Sequence, residues 1–289
     1  MDCANELNTM KKIVILFALL FADLASARTV TTLKLMSYNI RGTGHKGDTG
    51  ELVWDIRKEA SIAMIARERP DVIGFQEPKN EQVTWLTEHL PDYAHVSAGR
   101  DQGVSSEGEH LPVMWLREKY DLVDWGYYWL SETPGEVSRG WDAKNRRITV
   151  WVCLRDKVSG GKFYYFNTHL DHKGHEARRR GALLNVEMMR KIAGKRTPAF
   201  ISGDMNAEIG QKTGEYLKAY TAWLESAHDA APESDDRPSF NGFGKSRART
   251  LDYIYFRRAR ALRYETLDSE AYGVRYVSDH YPIVCTFVF

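Results

Sequence analysis

The chain is poor in cysteine, with 3 in 289 residues, too few for a disulfide framework. It has no excess charge of either sign. Lys and Arg total 40 and Asp and Glu total 39, a formal net charge of +1. A protein built around a nucleic-acid backbone carries a basic footprint, and none shows in this balance. Long apolar runs are missing too. None approaches the roughly 18 residues that a membrane-spanning helix needs. There is no Cys/His spacing of the zinc type, no H-E-x-x-H, and no nucleophilic Ser or Cys in a turn motif. What is left is an ordinary globular balance, 43% hydrophobic and 27% charged. That balance excludes disorder, collagen and coiled coil as global descriptions.

Aromatic residues are plentiful, with 8 Trp and 15 Tyr. They suit a β-rich fold with aromatic-lined edges or clefts. At the N-terminus, Lys11 and Lys12 precede an apolar run from Ile13 to Phe21 and then Ala25-Ser26-Ala27. This order reads as a secretory signal peptide over residues 1–27. Asp2 and Glu6 are foreign to a signal n-region, so Met10 is a second candidate start. The remaining domain, residues 28–289, is expected to be exported to the periplasm or secreted. No Cys follows the cleavage site, so no lipid anchor is expected. Cys153 and Cys285 lie in apolar strand-like runs and read as two separate buried thiols.

The body alternates strands and helices. Residues 33–40, 71–75, 93–98, 112–116, 122–130, 148–154, 163–170, 199–203, 250–257 and 281–289 read as strands. Ser159-Gly160-Gly161 marks a hairpin. A helix over 54–68 is read from Ile56, Ala60, Ala63, Met64 and Ala66, and a short one over 81–90 follows. The longest, over 176–193, is read from Ala182, Leu183, Val186, Met189 and Ile192. Its first arginines, Arg178 to Arg180, read as a solvated face. Residues 228–248, rich in polar, Gly, Pro and Ser residues, read as a long surface loop. One α/β domain with two packed sheets and outer helices fits this count.

Five polar clusters each directly follow an apolar strand in this reading: Asn39, Gln76-Glu77, Asn167-Thr168-His169, Gly203-Asp204-Met205-Asn206 and Ser278-Asp279-His280, with Asp252 inside a further strand. Loops at strand ends on a rigid sheet are where sites are built. Carboxylates and amides with few imidazoles suit Mg²⁺ or Mn²⁺, with Ca²⁺ a third choice, better than Zn²⁺. Such a set activates water and stabilises a phosphoryl transition state without a covalent intermediate.

The ordered set Ser37-Tyr38-Asn39-Ile40, Gln76-Glu77, Asn167-Thr168-His169-Leu170, Gly203-Asp204-Met205-Asn206, Leu251-Asp252-Tyr253-Ile254 and Ser278-Asp279-His280 resembles the endonuclease/exonuclease/phosphatase superfamily. Trp129 to Pro134, Gly140-Trp141-Asp142 and His169-Leu170-Asp171-His172 resemble its exported bacterial branch. The resemblance implies a four-layer α/β sandwich of the DNase I-like kind. It implies metal ligation by Glu77, with Asn39 and Asp279 nearby. Asp204 would orient or deprotonate the attacking water, and Asn206 would hold that water or a phosphate oxygen. His169 and His280 would donate to the scissile phosphate, with Asp252 favouring the imidazolium of His280. Whether Asp204 or His280 is the base stays open.

Arg41, Arg147, His172 and Trp141 are further candidates for substrate contact, and Asp171 for a helix cap. The leading expectation is a metal-dependent hydrolase of a small organic phosphate mono- or diester, acting as a monomer. An exported nuclease and a sphingomyelinase-like phosphodiesterase are the alternatives. A catalytically silent binding module is a reading from another class.

Overall fold

A computed structural model describes residues 30–289. The leader read over residues 1–27 lies outside the described residues. Strand β1 (Thr32–Asn39) serves two cores at once. Leu33 and Leu35 enter one, and Met36 and Tyr38 the other, as the twofold period of a strand dictates. Helix α1 (Trp54–Glu68), β2 (Val72–Gln76), α2 (Asn80–His89), β3 (Tyr93–Val96) and β4 (Val113–Leu116) follow. Next come β5 (Tyr120–Trp129), β6 (Ile148–Asp156) and β7 (Lys162–His169), paired antiparallel in sequence. Helix α3 (His175–Ile192) crosses to β8 (Ala199–Asp204), which lies parallel to β7. Short pieces α4 (Lys218–Thr221), β9 (Glu225–Ser226), α5 (Ala227–Ala230) and β10 (Glu233–Ser234) precede β11 (Asp252–Arg257), β12 (Arg260–Thr266) and β13 (Ile283–Val288).

One sheet has the order β10-β12-β13-β1-β2-β4-β3 and the other β5-β6-β7-β8-β11-β9. Their inner faces share a core in which Leu33, Leu35, Val72 and Phe287 meet Val152, Phe163, Tyr165 and Phe200. Met64 of α1 and Leu86 of α2 cover the outer face of the first sheet over Met36, Ile73 and Phe75. Ala182, Val186 and Met189 of α3 cover the second over Phe166 and Ile201. The result is the expected four-layer α/β sandwich with a DNase I-like arrangement. Gly74 of β2 lets the sheets close, because a Cβ there would strike the Tyr165 hydroxyl. Polar residues also join the layers. Asn167 Nδ2 on β7 donates to the Phe75 carbonyl at 2.7 Å, and Gln76 Nε2 donates to Asn167 Oδ1 at 2.7 Å. Cys153 and Cys285 are buried free thiols on strands of different sheets.

Several elements differ from the sequence reading. β12 is absent from it because a bulge between Ala261 and Arg263 breaks the alternation. Residues 228–248 are not simply a surface loop. Ser239, Asn241 and Phe243 are buried, and Phe240 bridges both Arg249 and His280. The inward face of α1 is rotated from the expected stripe. Ile56 is 54% exposed, whereas Trp54, Arg57 and Ser61 are buried. Leu183 of α3 likewise faces solvent. Arg178 is buried and donates to the Asp171 carbonyl at 2.8 Å, so only Arg179 and Arg180 stay at the surface, both paired with Glu176. Among the described residues no helix is long and apolar enough to cross a membrane.

Candidate active site

Strand direction assembles the site. β1 and β2 are parallel and end together, with Asn39 opposite Gln76. β7 and β8 are parallel and end with His169 opposite Asp204. β11 runs antiparallel to β8, so its first residue, Asp252, falls opposite Asp204. β13 runs antiparallel to β1, so the segment before it, residues 278–280, reaches the end of β1. The Ser278 hydroxyl donates to the Asn39 carbonyl at 2.7 Å. Asp252 and the Ser-Asp-His cluster therefore stand at strand starts, not after or inside strands. An antiparallel start shares an edge with a parallel end, so all six segments meet.

The turns at that edge are unusual. Arg41, Glu77 and Asn206 adopt positive φ of 63°, 74° and 46°. Non-glycine residues in this region are strained, and the surrounding contacts must hold them there. Gly203, one residue before Asp204, permits close packing of β8 on β7. A Cβ there would collide with the Thr168 carbonyl.

Glu77, His169 and Asp204 offer ligand atoms that all lie within 4.8 Å of one another. Asn39 Nδ2 donates to Glu77 Oε1 at 3.0 Å and to Asp204 Oδ2 at 3.2 Å, bridging the two sheets. Two carboxylates and an imidazole, focused on one point, fit a divalent cation of the hard or borderline kind. Asn39 and Asp279 have other partners here. Asn39 Oδ1 accepts from the Arg41 amide at 3.1 Å, and Asp279 pairs with Arg41 Nη1 at 3.2 Å. Glu77 is common to the expected ligand set and the observed cluster.

His280 is bracketed by carboxylates. Its Nδ1 lies 2.7 Å from Asp252 Oδ2, and its Nε2 lies 3.7 Å from Asp204 Oδ2. Burial disfavours its cation, but the charges of Asp252 and Asp204 and the Asp252 hydrogen bond outweigh burial and raise its pKa to about 10. Asp204 shifts the other way. Burial opposes its charge, yet His169, His280 and the Asn206 amide hold it well below the carboxylate range. Glu77 is lowered to about 2, where burial is overcome by His169, the Asn39 amide, His280 and Arg41. Burial and the charge of Glu77 raise Asp279. Asn206 Nδ2 lies 3.2 Å from His169 Nε2 and donates to the Leu170 carbonyl at 3.0 Å.

A cleft of about 290 Å³ opens over this cluster. Arg41, Arg147 and His172 line it, as the sequence suggested; Trp141 is not among its lining residues. Arg147 is buried, donates through Nη2 to His172 Nδ1 at 3.2 Å, and lies 3.6 Å from Asp171. Asp171 gathers amides from Lys144, Asn145, Lys173 and Gly174. The amides opening α3 are capped instead by Asp142, which accepts from Ala177 at 2.7 Å.

Sequence reading missed several participants. Ser239 donates to Asp252 Oδ2 at 2.6 Å while accepting from the Leu251 and Asp252 amides at 3.1 Å. Phe240 sets its ring edge-on to His280 at 5.0 Å. Arg100, Glu109 and Arg249 also line the cleft. All lie in loops whose composition signals only a turn. Arg57 had a signal: it stands in register with Ala60, Ser61 and Met64 on the buried face of α1. Its guanidinium donates to the carbonyls of Leu52, Ile40 and Val277 at 2.8, 2.9 and 2.6 Å.

A two-sheet sandwich with carboxylates, imidazoles and amides at one shared strand edge defines the class of hydrolases built on the DNase I-like fold. The chain belongs to the endonuclease/exonuclease/phosphatase family, whose model matches residues 36–280. Members of that family are phosphoesterases or nucleases. A family protein of Bacteroides thetaiotaomicron is similar, with 30% identity, a TM-score of 0.82, and coverage of 91% of this chain and 97% of that one. A mannosyl-6-phosphatase of the same species is 31% identical, with a TM-score of 0.80 and coverage of 89% and 100%. An uncharacterized protein of Acanthamoeba polyphaga mimivirus is 28% identical over 183 residues, 61% of this chain and 68% of that protein.

Proposed function

We propose that this protein is a divalent-metal-dependent phosphatase that hydrolyses the monoester of a small organic phosphate after export from the cell. One observation carries the reading: Glu77, His169 and Asp204 converge on one point beside an Asp252–His280 pair. Mg²⁺ or Mn²⁺ held there, with Ca²⁺ as a third option, supplies Lewis-acid polarisation of a phosphoryl oxygen. The chain's own groups do the rest. Ionised Asp204 accepts a hydrogen bond from water and aims it at phosphorus. His280, braced by Asp252, donates to a non-bridging oxygen as charge builds there. His169 and Asn206 flank the same oxygen-binding space, Asn39 holds Glu77 and Asp204 in place, and Asp279 anchors Arg41. Arg147 and His172 form the wall against which the organic part of the substrate lies. The bond from water to phosphorus forms as the ester bond breaks, with no covalent enzyme intermediate.

The similarity to a mannosyl-6-phosphatase supports a sugar-phosphate type of monoester over a diester. The near-neutral net charge of +1 supports a small substrate over a nucleic acid. Lys11 to Ala27 supports export. The test is turnover of a chromogenic phosphate monoester and diester with Mg²⁺, Mn²⁺, Ca²⁺ or EDTA. EDTA-sensitive cleavage of the monoester, abolished in His280→Ala, is the expected result. Preference for the diester overturns the monoester assignment. No cleavage of any phosphate ester by folded, metal-loaded protein overturns the enzyme reading.

A further inference from the structure

Four arginines line the cleft, and three of them are answered by carboxylates. Arg41 pairs with Asp48 at 2.9 Å and with Asp279. Arg100 pairs with Glu109, and Arg147 approaches Asp171. Arg249 has no carboxylate partner and makes no side-chain hydrogen bond among the described residues.

Arg249 is nevertheless held. Its backbone is locked to Phe240 by two hydrogen bonds, of 2.7 and 3.0 Å, and Phe240 in turn bridges His280. Its guanidinium rests over the Phe240 ring, 4.7 Å from the centroid. The same ring meets His280 edge-on, with the centroids 5.0 Å apart. Phe240 therefore touches both the Arg249 cation and the imidazole of His280. The residue is half-buried, so its mobility is reduced and its cation partly desolvated. A fixed, unneutralised guanidinium is a bidentate receptor for an oxyanion. His280 and the Glu77, His169 and Asp204 cluster already serve the phosphate undergoing attack, so Arg249, in the same cleft, is assigned to a second anionic group.

We propose that Arg249, positioned by Phe240, forms a subsite for a second oxyanion, a carboxylate or a further phosphate, carried by the same substrate. The preferred substrates are then organic phosphates with two anionic groups. This rests on the phosphoesterase reading for the position of the scissile phosphate, and it narrows the substrate class of that site.

The test uses non-hydrolysable probes that share one tether. Binding of 3-hydroxypropylphosphonate, 3-phosphonopropionate and propane-1,3-diphosphonate to the full-length protein in Mg²⁺ is measured by calorimetry. For the native protein we expect the two-anion probes to bind about tenfold more tightly than the hydroxyl probe. In Arg249→Gln that ratio falls to about two, and in Arg249→Lys part of it survives because charge remains but the fork is lost. The carboxylate and diphosphonate arms distinguish the two kinds of second anion. The proposal is overturned if the native protein shows no preference in either arm, or if Arg249→Gln keeps the preference intact. Thermal melting checks the fold of each variant. A failed phosphoesterase reading shows separately, as absent turnover of every phosphate ester, and leaves the ratio of binding constants readable.

Discussion

At the scale of single residues, the site depends on partners that are not themselves reactive. Asp252 touches His280 and Ser239, and both contacts are buried. Asp252→Asn keeps the shape but removes the charge that favours the imidazolium. We expect a fall in kcat of about 10²-fold or more with KM changed little, measured by steady-state kinetics on the monoester. Asp171 does a different task. Burial opposes its charge, but four backbone amides hold its carboxyl well below the usual range. A depressed carboxylate contributes stability that is present above the unfolded value near 4 and is lost as pH falls through the folded one. Asp171→Ala should therefore cost about 2–3 kcal/mol at pH 7 in urea melts. The gap to the native protein should narrow once the pH is taken well below 4. An equal gap at both pH values would mean that the charge contributes nothing.

At the scale of elements, the strands were legible because each sheet face has one core and a twofold period reports it. Leu33 and Leu35 against Met36 and Tyr38 is the pattern in its plainest form. The site residues were legible for a related reason: polar residues abutting such strands have nowhere to lie but the sheet edge. What stayed hidden depends on pairing between distant segments. The bulge in β12 erased its period, and the Phe240 and Ser239 loop carries no composition signal for its burial. The turn of α1 was misread because an arginine occupies its inner face. Arg57 is 1% exposed, and its hydrogen bonds join the segment after β1 to the segment before Asp279. It also lies over the rings of Trp54 and Phe243. Arg57→Met leaves the buried Leu52 and Ile40 carbonyls without this donor, while the Tyr38 hydroxyl still serves Val277, and should cost about 3–5 kcal/mol in denaturant melts. Loss of activity in whatever folded fraction remains is expected as well, because the turns bearing Asn39 and Asp279 lose their common anchor. A variant as stable as the native protein would show that water replaces the guanidinium without cost.

At the scale of the whole molecule, the candidate metal-ligand cluster is shared between the two halves of the sandwich. Glu77 follows a strand of the seven-stranded sheet, and His169 and Asp204 end strands of the six-stranded sheet. Asn39, from the first sheet, reaches Asp204 on the second. The cluster exists only when both sheets are packed, so a cation that binds it binds the folded state and not the unfolded chain. Mass action then makes the cation a stabiliser: at a hundred times its Kd it adds about 2.7 kcal/mol. For a domain of this size that corresponds to a rise in Tm of about 5–10 °C. We expect Mg²⁺ or Mn²⁺ to raise the melting temperature over EDTA in the native protein and to do so far less in Glu77→Gln. The comparison with Asn39→Ala is the sharper one. Asn39 donates to both carboxylates through Nδ2, so its loss should weaken the cation's effect by raising Kd while a high cation concentration restores the full shift. If Asn39→Ala lost the shift at every concentration, Asn39 would itself be a ligand. If Glu77→Gln kept the native shift, the stabilising cation would lie elsewhere in the fold.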